Sequence, residues 1–129
     1  MLIDCGGNAG AQATATVVRG LAVGDINAKD IFKVIWREIR VGLLLGMTMA
    51  VVAFVRAWIS GGTPTVGIVV SISVLAIVCL GTLMGSFLPM VVSKLGFDPA
   101  VVAAPIITTV VDSVGLLIYF NIARMFLNI

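Results

Sequence analysis

The stretch VGIVVSISVLAIVCLGTLMGSFLPMVV occupies residues 66–92 and runs for 27 residues without a charged side chain. A helix needs about 20 apolar residues to cross the hydrocarbon core of a bilayer, so this stretch is long enough. Two segments outside it have the same character: residues 41–59, with Arg56 near their end, and residues 99–123, interrupted only by Asp112. The sequence therefore predicts three clear membrane-spanning helices.

The composition supports a membrane protein and argues against several classes of function. Hydrophobic residues make up 60% of the chain and charged residues 11%, whereas a soluble domain carries about 25% charged residues. There is no histidine, and the two cysteines, Cys5 and Cys79, lie far apart. Serine and threonine therefore lack a candidate base for nucleophilic catalysis, and no enzyme is predicted. The net charge of +2 selects no partner, and no nucleic-acid partner is predicted.

Two further segments complete the predicted architecture. Residues 5–23 are rich in Gly, Ala and Thr and contain Asn8 and Gln12, which is typical of a helix packed inside a bundle. Residues 24–40 are the most charged part of the chain, and their apolar residues recur at helical spacing. They predict an amphipathic interfacial helix leading into the next span, either as a simple anchor or as a recognition surface. The fold class is thus all-α integral membrane: about four transmembrane helices and one interfacial helix in a single domain, residues 1–129.

The connections and the charges predict the topology. Gly- and Pro-containing turns at residues 60–64 and 93–99 separate the last three spans. Six Lys and Arg residues fall on the side of the 24–40 segment and two on the other side. This asymmetry predicts that the 24–40 segment faces the cytoplasm and that the C-terminus lies outside. In a bacterium the protein would be a multi-pass protein of the inner membrane.

Asp112 lies halfway along the last span, where a carboxylate costs about 2.5–3.5 kcal/mol on insertion scales. It could form a buried ion pair or be protonated and hydrogen-bonded, but no Lys or Arg lies at matching depth. Helical spacing places it on one face with Pro105, Thr108 and Thr109. Because proline has no N–H, a backbone carbonyl near Pro105 is also expected to be free. We therefore predict that Asp112 handles a cation.

The donors on this face determine which cation is expected. Carboxylate, hydroxyl, amide and backbone oxygens suit hard cations such as Mg²⁺ or Ca²⁺. Asn8, Gln12 and Thr16 form a second polar face on the first helix. That face could hold helices together by hydrogen bonds or share one aqueous path with Asp112. Each chain supplies only one carboxylate at this depth, and a dimer would supply two.

Several motifs resemble the MgtE family of magnesium channels. They cover nearly the whole chain in the family's order: Gly7-Asn8-Ala9-Gly10-Ala11-Gln12, Arg19-Gly20-Leu21-Ala22, Arg37-Glu38 before the span from Val41, Leu88-Pro89, Asp98-Pro99-Ala100, and Pro105 through Thr108-Thr109 and Asp112 to Gly115-Leu116-Leu117-Ile118-Tyr119-Phe120. The chain departs from the family at Ala103-Ala104, where Ser-Gly usually precedes the proline matching Pro105.

The resemblance implies a homodimer with five transmembrane helices per subunit and a pore along the dimer axis. It implies that Asp112 holds hydrated Mg²⁺ with help from backbone carbonyls around Thr108 and Thr109. Asp98 would lie near the cytoplasmic mouth and Asn8 on a pore-lining helix. The chain would correspond to the family's last four transmembrane helices, without the first helix or the cytosolic N-terminal and CBS domains.

Three functions remain open from the sequence. The first is a Mg²⁺ channel or transporter in which Mg²⁺ is both the bound and the transported ion. The second is an exchanger that couples Mg²⁺ to Na⁺, as proposed for eukaryotic relatives of the family. The third is a non-transporting assembly subunit, in which Asp112 only pairs with a partner helix.

Overall fold

The computed structural model describes all 129 residues as helices joined by short turns. Helix α1 spans Leu2–Val23, α2 spans Ile31–Ile59, α3 spans Pro64–Lys94 and α4 spans Pro99–Leu127. Helices α2, α3 and α4 are long and apolar enough to cross a membrane. The predicted all-α integral membrane fold is confirmed, and each predicted span lies within one of these helices.

The basic segment differs from the expected short interfacial helix. Only a single 3₁₀ turn, Ala28–Asp30, precedes α2, and residues 31–40 form the first turns of α2 itself. No glycine or proline between residues 31 and 41 interrupts the helical hydrogen bonds, so the helix continues unbroken into the span. The Asp30 carboxylate accepts a hydrogen bond from the Asn27 backbone N–H at 3.1 Å and helps to begin this segment.

Side-chain caps and prolines define where α3 and α4 begin. The Thr63 hydroxyl accepts a hydrogen bond from the Val66 N–H at 3.4 Å, and the Asp98 carboxylate accepts one from the Ala100 N–H at 2.9 Å. Proline follows each cap, at Pro64 and Pro99. Proline suits the first helical position because its missing N–H would have no partner in the helix there.

Helix α3 is the centre of the bundle and packs against each of the other three helices. Its buried residues, including Val74, Ile77 and Met90, take part in the apolar clusters that join α3 to α1, α2 and α4. Its buried hydroxyls donate to backbone carbonyls; Ser73, for example, donates to the Val69 carbonyl at 2.7 Å. Polar groups on a membrane helix need such internal partners because the lipid offers none.

Two pairs of glycines let α1 and α3 approach backbone to backbone. Gly6 and Gly10 on α1 face Gly81 and Gly85 on α3. A Cβ atom at Gly81 would collide with the Gly6 carbonyl oxygen, and one at Gly85 with the Gly10 carbonyl oxygen. Small residues spaced four apart are a common means of close helix packing in membranes. This contact positions α1, and with it the polar residues that α1 carries.

The spacing of two exposed tryptophans along α2 matches the thickness of a bilayer. Trp36 and Trp58 are both exposed and lie 22 residues apart in one helix, which is about 33 Å of helix rise. The hydrocarbon core is about 30 Å thick, and tryptophan concentrates at its two boundaries. We call the end of the bundle near Trp36, where α1 ends and α2 begins, the basic end.

Candidate cation site

Asp112 lies in the middle of α4, 13 residues after Pro99, or about 20 Å along the helix. Its side chain is exposed on the outer surface of the chain. The chain contains two ion pairs, between the Met1 amino group and Asp4 and between Arg37 and Glu38, and neither involves Asp112. No side-chain hydrogen bond reaches it from Thr108, Thr109 or any neighbouring helix. An ion pair within the chain is therefore excluded as the reason for this carboxylate.

Helix α1 leaves space beside the Asp112 carboxylate at Gly7. A Cβ atom at Gly7 would lie 3.8 Å from Asp112 Oδ1, so the two positions are neighbours across the α1–α4 contact. Asn8 follows Gly7 directly but is rotated by about 100° around the helix. Its exposed side chain lines a groove that α1 forms with α2 and α3. Asn8 and Asp112 are thus both exposed, but Asn8 lies toward α2 and Asp112 lies on the α4 side of α1.

The threonines near Pro105 direct their protons to their own helix. The Thr109 hydroxyl donates to the Pro105 carbonyl at 2.9 Å, and the Thr108 hydroxyl lies 3.0 Å from the same carbonyl oxygen and 3.3 Å from that of Ala104. Each hydroxyl oxygen keeps its lone pairs for a ligand, because its proton is already used. Pro105 provides no N–H for the carbonyl of Val101, one turn earlier. The exposed surface of α4 from residue 101 to residue 112 is therefore rich in oxygen acceptors.

Asp98 is far from Asp112. It caps α4 at the basic end and is exposed, and 14 residues separate the two carboxylates, about 21 Å of helix. No three His, Cys, Asp or Glu side chains come together in the chain to hold a metal ion. One chain thus carries two separate carboxylates along α4, those of Asp98 and Asp112.

Asp98 caps α4 and also carries an exposed charge, and two substitutions can separate these roles. Asp98→Ala is expected to lower stability by about 1 kcal/mol, because it removes the cap of α4. Asp98→Asn keeps a capping oxygen and should leave the melting temperature nearly unchanged while removing the charge. If Asp98 attracts cations at the basic end, both variants should weaken the response of that end to Mg²⁺ in NMR titrations. An Asn variant with wild-type Mg²⁺ shifts would restrict Asp98 to its capping role.

The structure also shows that the acid of the Arg37-Glu38 motif is buried. Glu38 is only 5% exposed, and its Oε1 accepts a hydrogen bond from Arg37 Nε at 3.2 Å. It lines a cavity of about 230 Å³ together with Gln12, Thr16 and Thr82. Val34, Glu38, Gly42 and Gly46 recur every four residues and form the buried face of α2. That spacing was the available signal, since it places Glu38 among glycines that face the core.

Comparison with known proteins identifies the family of the chain. The family model of MgtE, described as a divalent cation transporter, matches residues 1–122. The magnesium transporter MgtE of Bacillus subtilis is 38% identical over 122 residues, which cover 95% of this chain and 27% of that protein. Its namesakes in Thermus thermophilus and Enterococcus faecalis are 38% and 36% identical, each over 99% of this chain and 28% of their own length. The chain thus spans little more than a quarter of these relatives, and it belongs to the MgtE family.

Proposed function

We propose that the chain forms the ion-conducting part of a divalent cation transporter, chiefly for Mg²⁺. The observation that carries this proposal is Asp112, a mid-membrane carboxylate that is exposed and has no partner within its own chain. A charge facing lipid at this depth is costly, so the carboxylate must face water or a second protein surface. The names of the three relatives, all magnesium transporters, support the choice of ion.

A second copy of the chain is the partner that we propose for this face. Symmetric dimers are the commonest oligomers, and a two-fold axis beside α1 and α4 would bring two Asp112 carboxylates to one path. The exposed residues Asn8, Thr108 and Thr109 would then line that path with oxygen and nitrogen groups. In the dimer each chain would complete the site that the other chain leaves half-formed.

The proposed chemistry is recognition of a hydrated ion. Mg²⁺ gives up its water reluctantly and is usually bound through one or two carboxylates with several waters retained. Two Asp112 side chains supply the negative charge, while the hydroxyls and carbonyls near Pro105 accept hydrogen bonds from the ion's water. We further propose that the basic end faces the cytoplasm of a bacterial cell, and that the ion moves inward down its electrochemical gradient.

Mg²⁺ flux into liposomes tests the proposal. We expect liposomes containing the protein and an enclosed Mg²⁺ indicator to take up Mg²⁺ well above protein-free liposomes, driven by a negative internal potential. A chimera in which this chain replaces the matching segment of the Bacillus subtilis relative provides the same test within a full-length protein. Single-channel currents would identify a channel, whereas flux that requires an opposing Na⁺ gradient would identify an exchanger. Absence of flux in both proteins would contradict the proposal.

A further inference from the structure

The outward face of the 3₁₀ turn and the first turns of α2 carries three cations and two exposed aromatic residues. Lys29, Lys33 and Arg40 are exposed, and Phe32 and Trp36 between them are 83% and 63% exposed. Within α2 the spacing of three and four residues keeps four of them on one side of the helix, and Lys29 precedes them in the 3₁₀ turn. We call these five residues the basic-aromatic face. The cation site proposed above does not use them.

No other helix covers this face. The opposite side of α2, with Val34 and Glu38, faces α1 and α3, which leaves the basic-aromatic face on the outside of the bundle. Its position at the level of Trp36 places it at the boundary between hydrocarbon and lipid headgroups. Long basic side chains at this level extend toward the headgroups while their methylene stems stay on apolar surface.

The acidic residues nearby form no ion pair with the three cations. Asp30 accepts a hydrogen bond from the Asn27 backbone, and Glu38 is buried and paired with Arg37. Asp25 and Asp30 line a shallow hollow beside Lys33, but neither forms an ion pair with it. Three cations against the two exposed or half-buried carboxylates of Asp25 and Asp30 leave this region with a net positive charge.

We infer that the basic-aromatic face binds an anionic phospholipid. The phosphate and the anionic headgroup would contact Lys33 and Arg40. Lys29, which lies farther from the membrane centre, would contact the outer part of the headgroup. The rings of Phe32 and Trp36 would pack against the glycerol and upper acyl chains. A zwitterionic lipid fits less well because its own ammonium group would meet three cations. A free phosphate would lack the acyl chains that the aromatic rings contact, so the proposed ligand is a lipid.

Quenching of Trp36 fluorescence by brominated lipids tests this inference. The chain has two tryptophans, so the Trp58→Phe variant leaves Trp36 as the only reporter. The variant is reconstituted in mixtures of phosphatidylcholine and phosphatidylglycerol, with either lipid brominated in its acyl chains. We expect phosphatidylglycerol to bind at least about fivefold more tightly than phosphatidylcholine, since one basic side chain near an anionic surface contributes about that factor. The preference should shrink at high salt.

Charge variants distinguish a specific site from general attraction. Lys33→Gln with Arg40→Gln, in the Trp58→Phe background, should bring the relative binding constant close to one. Arg19→Gln with Lys94→Gln removes the same charge at the same end of the bundle and should leave the preference intact. Circular dichroism checks that each variant keeps its helix content, and the two single variants replace the double variant if it does not. The inference would be overturned if the Trp58→Phe protein bound the two lipids with equal affinity. It would also be overturned if both double variants lost the same share of the preference for phosphatidylglycerol.

Discussion

Replacing Asp112 by alanine is expected to lower the rate of Mg²⁺ transport by about 100-fold or more, a loss of about 3 kcal/mol or more in the stabilisation of the ion. Two unit charges 4 Å apart attract by about 4 kcal/mol at an effective dielectric constant of 20. In the proposed dimer the substitution removes both carboxylates that offset the partial dehydration of the ion. No other acidic residue lies within the central turns of α4 to replace them. Mg²⁺ flux into liposomes, measured against protein-free liposomes, gives the size of the effect.

Stability measurements on the same variants separate an ion site from a structural role. Asp112→Asn has the same size and no charge, so it should also transport poorly. Both variants should be at least as stable as the wild type, because Asp112 has no partner within the chain and a mid-membrane charge is removed. Asp25→Asn, which removes an exposed acid from the turn between α1 and α2, outside the spans, should leave transport unchanged. Wild-type flux in Asp112→Ala would refute the ion-binding role. A large loss of stability would instead indicate that Asp112 holds a partner helix.

Gly85→Ala is expected to weaken the contact between α1 and α3 by about 1–3 kcal/mol, and Gly81→Ala by a similar amount. In both cases the new methyl group would meet a backbone carbonyl oxygen, of Gly10 or of Gly6. A flexible side chain could rotate away from the methyl group, but a carbonyl within a helix can yield only if the whole helix moves. The double variant should therefore lose the native packing of α1. Unfolding of the protein in mixed micelles, followed by circular dichroism, measures the change in free energy.

Gly7→Ala is the matched control for this prediction. It is the same substitution in the interior of α1, but the new methyl group would meet only Asp112 Oδ1, at an ordinary 3.8 Å. Alanine favours a helix over glycine by about 0.5–1 kcal/mol, so Gly7→Ala should be as stable as the wild type or slightly more stable. Equal stability of Gly85→Ala and Gly7→Ala would show that the close approach of α1 and α3 does not limit stability.

Much of the fold could be predicted because its causes are local. Apolar stretches of sufficient length predicted α2, α3 and α4, and the turn at residues 93–99 predicted where α3 ends and α4 begins. Even α1, with modest hydropathy, was expected from its small residues. The boundary of the basic segment was harder to predict. An amphipathic pattern that runs directly into an apolar one looks the same whether the helix bends at the membrane surface or continues straight.

The candidate site, too, could be predicted only where the geometry of a single helix determines it. Helical spacing alone placed Asp112, Thr108 and Thr109 on one face of α4, because that depends only on the geometry of one helix. The tertiary structure decided that this face points away from the bundle, that Asn8 lies around α1 from Asp112, and that Glu38 is buried. Burial and orientation depend on which helices approach closely, and here the approach depends on glycines more than 70 residues apart, Gly6 and Gly10 on α1 with Gly81 and Gly85 on α3. The sequence thus determined the helices and the kinds of chemical group they carry, while helix packing alone decided which groups remain available to an ion.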